Sequence, residues 1–385
     1  MSPERVLITG SAGFMGSRLC EVLSLTQICA VRAFVHSTGS AARIARLPLD
    51  FALGDLCDAA SVESAMDGCD AVVHLARGST AVMRKGLENV LRAAVRHRVS
   101  RFVHMSSVAV YGNDPPPESA SEDAPTRRTN LPYGNEKLGQ ELRVRRYAHR
   151  HALPAVILRP PNAYGPFSPF TVGLLDKIRV GRLAIVDEGS NPCNLVYVDN
   201  VVEAVLLALW RPEAVGQTFF VTDLAPVTWR QCLEHHATML GTSIPHVSSA
   251  DLVVPAREHR LRDSVRVLPR VLLSPDFRGA VRRVPVIRDL EQFVYQRFEL
   301  LSPSTQQRIR LRLHGPERPH PAYVPRFHAT DNIIAAQARK VVHSSDKAMR
   351  MLGYTAPISY SEGMALTREW LHSTRVIQAL RNDAV

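Results

Sequence analysis

The stretch LPYGNEKLGQE, Leu131–Glu141, puts a phenol four residues before an ammonium. On a helix, Tyr133 and Lys137 would share a face. A tyrosine normally titrates near ~10, and an adjacent cation stabilises its phenolate and lowers that value. Such a pair can move a proton near neutral pH. Tyrosine and lysine also meet at this spacing as plain surface contacts, so the pair needs support from the rest of the chain. A second chemical feature lies at the start. RVLITG is followed by SAGFMGSRLCEVLSL, giving Gly10-x-x-Gly13-x-x-Gly16 ahead of Phe14, Leu19, Val22 and Leu23 at helical spacing. Bare backbone at the first two glycines admits a pyrophosphate, the third lets helix and strand pack closely, and the helix start offers amide donors.

Both features need a scaffold that brings strand ends together. RVLITG, AVRAFVHS, a strand ending in LGDLCD (Leu53–Asp58), AVVHLAR (Ala71–Arg77) and RFVHMSSVAVYG (Arg101–Gly112) alternate with helical segments. That rhythm predicts an α/β fold, a doubly wound parallel sheet of Rossmann type. NAD sites place Asp or Glu about 20 residues beyond the glycines, where a carboxylate accepts from the ribose hydroxyls. Here that place is held by His36 and Ser37, with Arg32 and Arg43 nearby and no acid before Asp50. A 2′-phosphate would be repelled by a carboxylate and attracted by arginine, which tips the reading from NAD toward NADP. The competing reading of Arg43 is a solvent-facing residue on the next helix. Asp55 is expected to face the adenine amine.

The glycine turn, Asp55, His74–Ala76, SSVAVYG, Tyr133-x-x-x-Lys137, RPPNAYGP (Arg159–Pro166) and NLVYVDNVVEA (Asn194–Ala204) occur in one order. In that order the chain resembles the extended short-chain dehydrogenase/reductase superfamily, specifically its NAD-dependent epimerase/dehydratase branch. The resemblance covers Arg5 to Thr238 and returns at Val342–Leu371. It implies Tyr133 as general acid/base, Lys137 holding the nicotinamide ribose and depressing the tyrosine's pKa, and Ser107 orienting the substrate oxygen, with Ser106 the alternative. It further implies cofactor contacts from Gly10, Gly13, Phe14, Met15, Gly16, His36, Arg43, Asp55, Leu56, Leu75, Ala76, Ser106, Lys137 and Pro160. Ser107, Asn162 and Tyr164 are its expected substrate contacts. A positioned acid/base is worth about 10²–10⁴-fold in such chemistry, while the nicotinamide carries the hydride.

Departures from the family pattern shape the expected reaction. Ser107-Val108-Ala109 stands where 4,6-dehydratases carry Thr-Asp-Glu, so no carboxylate is offered for the second proton transfer, and 4,6-dehydration is excluded on this reading. The segment His74–Gly86 is short, with Met83 near an expected asparagine, which should open one wall of the site. Cys193 stands where an arginine usually grips the substrate diphosphate; Arg179, Arg182 or an arginine of the later insertion would have to replace it. VYVDNVVEA also resembles steroid-type hydroxy-dehydrogenases. The leading expectation is nucleotide-sugar epimerisation through a transient ketone. A net ketone reductase or steroid-like hydroxy-dehydrogenase is the runner-up, and a nonenzymatic NAD(P)-binding regulator comes third.

At 385 residues, 45% hydrophobic and 22% charged, the chain has the composition of a soluble globular protein. A dinucleotide-binding domain is expected over 1–165, completed by about 194–222. A smaller substrate lobe is expected from 166–193 and 223–385, carrying an Arg-rich insertion at about 241–341. Gly241–Thr330 holds fifteen Arg, no Lys and eight Asp/Glu, a surplus of +7 out of the chain's +11. No zinc-finger, basic-zipper or aromatic RNA-binding pattern accompanies this charge, so nucleic acid is not expected. Within the insertion, IRDLEQFVYQRFELL has an apolar helical stripe that suits packing on the lobe, with a lid, dimer contact or membrane-surface helix as alternatives. The six scattered cysteines and the absence of zinc spacing predict reduced thiols and no metal. His235, His236 and His343 are expected as surface or helix-end residues. A cytoplasmic homodimer without a signal peptide or membrane span completes the expectation.

Overall fold

In the computed structural model, residues 3–252, 327, 331–375 and 377 are described. The amphipathic stretch IRDLEQFVYQRFELL and most of the Arg-rich insertion lie outside them. Strands β1 (Arg5–Thr9), β2 (Ala30–Val35), β3 (Asp50–Leu53), β4 (Ala71–His74), β5 (Arg101–Met105), β6 (Ala155–Arg159) and β10 (Thr218–Phe220) form one sheet in the order β10-β6-β5-β4-β1-β2-β3. All its pairings are parallel. The expected sheet is therefore present. Its third strand ends at Leu53, the first residue of LGDLCD, and Gly54–Asp58 forms the loop that follows.

Side-chain alternation decides which helices cover each face. Val6 and Ile8 of β1 join a core with Leu19, Cys20 and Leu23 of α1 (Phe14–Thr26) and Val201, Val202 and Val205 of α6 (Val198–Trp210). Leu7, between them, points to the other face. It packs with Val62 of α2 (Ala59–Met66), Leu87 and Val90 of α3 (Leu87–Arg96) and Val144 of α4 (Pro132–His151). Burying each such aliphatic side chain contributes about 1.5–3 kcal/mol. The register sets Thr9 opposite Phe34 and His74, and His74 opposite His104. The strands thus end level, and their outgoing loops meet at the switch between β1 and β4, where such sheets bind ligands.

A smaller core sits beyond that edge. Strands β7 (Asn162–Tyr164) and β9 (Leu195–Tyr197) pair in parallel, as do β8 (Ile185–Val186) and β11 (His246–Val247). They pack with α5 (Pro169–Arg179), α7 (Trp229–Met239), α8 (Asn332–Ala336) and α10 (Tyr360–Ser373) around Leu174, Trp229, Leu233, Ile334 and Met364. Helix α9 (Asp346–Leu352) packs on β10 and α6 instead. Both described ends of the expected insertion are integral to this lobe: β11 at its start and α8 near its close. Gln337, just past α8, accepts from Val186 N at 2.9 Å and donates to Ala184 O at 2.9 Å, which fastens residues 331–343 to the lobe. Among the described residues no helix is long and apolar enough to cross a membrane.

Candidate active site

The β1–α1 turn shows why glycine is needed. Gly10 has φ +73°, and a Cβ there would fall 2.8 Å from the Ala76 backbone; at Gly16 it would fall 2.2 Å from Gly10 O. The helix thus starts against bare backbone, with no side-chain cap on Gly13. The first amides of α1 have no intrahelical acceptors and remain available to an anion. Ser11 Oγ donates to Phe34 O at 2.8 Å and ties the turn to β2. Gly10, Gly13, Phe14, Met15, Gly16, Leu75, Ser106, Ser107, Tyr133, Lys137, Pro160 and Asn162 all border one cavity of about 640 Å³. Such an uncapped glycine cradle fits a dinucleotide pyrophosphate.

Helix α4 begins at Pro132, a residue preorganised for the first helical position, so Tyr133 and Lys137 project from one face into the cavity. Their electrostatics differ from expectation. Lys137 Nζ donates to Met105 O at 2.7 Å, and burial, reinforced by Arg77, lowers its pKa to about 8. Burial raises the Tyr133 phenol above its usual range, opposed by Arg77 and the Ser107 hydroxyl. The cation acting on the phenol is Arg77, whose guanidinium carbon lies 4.7 Å from the ring centre, while the lysine is committed to the end of β5. Arg77 also occupies the wall that the shortness of His74–Gly86 suggests is open. That segment runs through a π turn, Val82–Gly86, whose Met83 O accepts from Gln140 Nε2 at 2.9 Å.

Ser107 is the N-cap of a short 3₁₀ turn, Val108–Tyr111, accepting from Ala109 N and donating to Pro160 O, both at 3.2 Å. Ser106 turns inward and donates to Glu141 Oε1 at 2.5 Å. Glu141 and Arg159, 1% and 2% exposed, form a two-pronged pair at 2.8 and 2.7 Å. Arg159 Nη1 also donates to Tyr111 OH at 2.7 Å. One buried ion pair therefore ties α4, β6 and the serine turn together. Beneath Lys137, His74 and His104 stack at 5.7 Å. Burial drives the His74 pKa down to about 3 and lowers that of His104, so both are neutral near pH 7. His74 Nδ1 is 2.8 Å from Thr9 Oγ1, whereas neither His104 ring nitrogen has a partner among the described residues.

Several expected contacts lie elsewhere. His36 is exposed, and Arg43 stacks on Phe167 at 4.7 Å; neither borders the cavity. Arg32 is engaged with Asp50 at 2.6 Å. Asp55 accepts from Cys57 N at 2.8 Å within its own loop, Leu56 packs beneath α3, and Ala76 lies against Gly10 rather than on the cavity wall. Tyr164 is 0% exposed, its hydroxyl donating to the buried Asp223 at 3.0 Å, so it is a core residue of the lobe. Cys193 is likewise core, 1% exposed. His236 and His343 are buried, contrary to the surface expectation, and only His235 of the three is exposed. His343 borders the cavity, stacks on Tyr111 and packs at a tilt against Phe220. Arg339 borders it too, with Nε donating to Asn113 O at 3.0 Å and Nη2 to Asn113 Oδ1 at 2.7 Å; it has no acidic partner among the described residues. Among those residues no cluster of three metal-ligating side chains occurs.

Comparison with known proteins agrees with this architecture. Residues 6–221 match the NAD dependent epimerase/dehydratase family. A dTDP-glucose 4,6-dehydratase of Streptomyces niveus is 30% identical over 322 residues, covering 74% of this chain and 93% of that one. A 4-hydroxy-2-methyl-3-oxo-4-farnesyl-3,4-dihydroquinoline-1-oxide ketoreductase of Stigmatella aurantiaca is 32% identical over 240 residues, 60% of this chain and 71% of that one. Among solved structures, the UDP-glucose 4-epimerase of Thermus thermophilus in complex with NAD superposes with a TM-score of 0.62 at 20% identity, covering 96% of this chain and 99% of that one. The dehydratase relative overturns the exclusion of 4,6-dehydration. That exclusion rested on one tripeptide, and a proton can come from any acid that reaches the substrate, so a missing carboxylate at Val108–Ala109 does not rule the reaction out. By its ordered motifs, its sheet and these matches, the chain belongs to the NAD dependent epimerase/dehydratase family.

Proposed function

We propose that this chain is an NAD(P)-dependent enzyme acting at a secondary alcohol or ketone carbon, with epimerisation of a nucleotide-linked sugar as its net reaction. The observation that carries the reading is the convergence of Ser107, Tyr133 and Lys137 on the cavity that also holds the glycine turn. The cofactor would lie along Gly10, Gly13 and Gly16, with Lys137 near its ribose, and would supply the hydride acceptor and donor for the substrate carbon. Tyr133 handles the accompanying proton. Its phenol is neutral at rest, the form that donates a proton to a carbonyl oxygen. For oxidation of an alcohol it must first release that proton to solvent, and the phenolate then takes the proton of the alcohol. Arg77 steadies the phenolate that remains after donation. The neutral His74 and His104 add no competing charge below. A sugar nucleotide is supported by the dTDP-glucose name of the Streptomyces relative. Arg339, on the cavity wall without an acidic partner among the described residues, can take the diphosphate contact that Cys193 cannot make.

Net ketone reduction is the second reading. It is favoured by the core burial of Cys193, which removes the usual diphosphate grip, and by the ketoreductase relative. Native mass spectrometry of the purified protein, followed by turnover assays, separates the two. An epimerase carries its cofactor through purification and interconverts sugar nucleotides with no added cofactor and no net change in nicotinamide absorbance. Stoichiometric cofactor oxidation with a ketone establishes the reductase instead.

A further inference from the structure

We infer that Arg77 is a substrate-specificity residue, and that it selects a substrate bearing a carboxylate close to the reacting carbon. The inference rests on the hydride-transfer reading above, which fixes where that carbon sits. Three observations carry it. The guanidinium lies over the Tyr133 ring, 4.7 Å from its centre. The side chain borders the cavity and is exposed to it. Among the described residues no carboxylate pairs with Arg77, in contrast to Arg18, Arg32, Arg84 and Arg159, each of which has an acidic partner.

Geometry then limits the ligand. A carbon undergoing oxidation or reduction must hold its oxygen within hydrogen-bond distance of the Tyr133 phenol. An oxyanion paired with a guanidinium sits at about 2.7–2.9 Å from its nitrogens. With the guanidinium over the same ring, a small molecule whose anionic group lies about two to three bonds from the reacting carbon can meet both contacts. A 3-hydroxy or 3-oxo acid has that spacing. The planar fork of a guanidinium suits the two oxygens of a carboxylate. The same relationship occurs in a free 3-oxo acid and in the sugar of a nucleotide-linked uronic acid, where the carboxylate is attached beside the reacting position. Arg77 serves either one; the rest of the cavity decides between them.

The test compares charged and neutral partners of each source on wild type, Arg77→Ala and Arg77→Lys. Acetoacetate is paired with methyl acetoacetate, and UDP-glucuronate with UDP-glucose. Binding is measured by calorimetry with saturating NAD(H) or NADP(H), and turnover by product analysis. Wild type should favour the carboxylate of one pair at least tenfold, and Arg77→Ala should bring that ratio near one. Arg77→Lys should recover part of it, mainly in KM. Preference within the acetoacetate pair identifies a free acid as the source, and preference within the UDP pair a uronic acid. If wild type shows no preference in either pair, or if Arg77→Ala weakens both partners or the cofactor equally, the inference is overturned. Carboxylate-selective binding that Arg77→Ala abolishes would support Arg77 as an anion-selecting residue even if none of the four compounds turns over. Turnover without carboxylate preference would instead support hydride transfer and overturn the role of Arg77, so the two failures are distinguishable.

Discussion

The two walls of the cavity are built on different principles. The sheet-side wall comes from segments that are short and regular: a glycine turn within seven residues, a helix with Pro132 first, and a 3₁₀ turn capped by Ser107. The opposite wall, residues 331–343, has little regular structure. It is held by polar side chains reaching across the chain: Asn191 Nδ2 to Gln337 O, Asn194 Nδ2 to Val341 O, and Arg339 to Asn113, spanning 146, 147 and 226 residues. The first wall holds groups for which the chemistry allows few substitutes. The second is a scaffold on which side chains can be exchanged while the backbone stays clamped. On the proposed reading, the acid–base groups and Arg77 lie on the first wall, and Arg339 on the second.

Mutations can break that division, beginning with the largest effect. Tyr133→Phe should lower turnover by about 10²–10⁴-fold while cofactor affinity stays near wild type; wild-type rates would remove the phenol from the reaction. Glu141→Leu leaves Arg159 buried without its partner and should cost about 3–5 kcal/mol of stability, read by urea unfolding. A loss below about 1 kcal/mol would mean that α4 is held by packing alone. On the other wall, Asn194→Ala removes bonds to Val341 O and His343 N. It should cost about 1–3 kcal/mol and raise KM more than it lowers kcat. An equal loss in kcat would spread the chemistry across both walls.

Acid titration samples one histidine from each side. His74 and His343 have pKa values of about 3 and about 4 when folded, against 6.5 when free. Between those values the unfolded chain binds more protons, so stability should fall as pH drops below 6.5 and level off below about 3. His343→Asn should make the profile shallower from pH 6.5 to about 4 and leave the rest to His74. Arg43→Ala should have the smallest effect, about 0.5–1 kcal/mol from its stack on Phe167. It should weaken NADP more than NAD if the guanidinium also meets the 2′-phosphate, and equal weakening would confine Arg43 to that stack.

What can be read from the chain follows the same line. Gly10, Gly13 and Gly16, or Tyr133 and Lys137, signal through spacing because a single turn or helix sets their geometry. Arg77 cannot be recognised this way, since its role depends on how β4 exits relative to a helix that starts about 55 residues later. Glu141 and Arg159 each look like surface charges until the fold buries them together. Four-residue spacing makes Lys137 and Tyr133 neighbours, which is why the lysine is expected to act on the phenol. Spacing alone does not reveal that Met105 O offers the ammonium a closer acceptor. Polar neighbours in sequence suggest a surface place for His343, yet Tyr111 and Phe220 enclose it from distant parts of the chain.

The junction of Glu141 with Ser106, Arg159 and Tyr111 has an engineering consequence. Helix, strand and serine turn share a common anchor whose hydrogen bonds involve none of residues 331–343, which reach it only through the stack of His343 on Tyr111. That half can therefore serve as a fixed cartridge if the stack is kept. Exchanging the far segment for that of another family member should retarget the enzyme without realigning Tyr133 and Ser107.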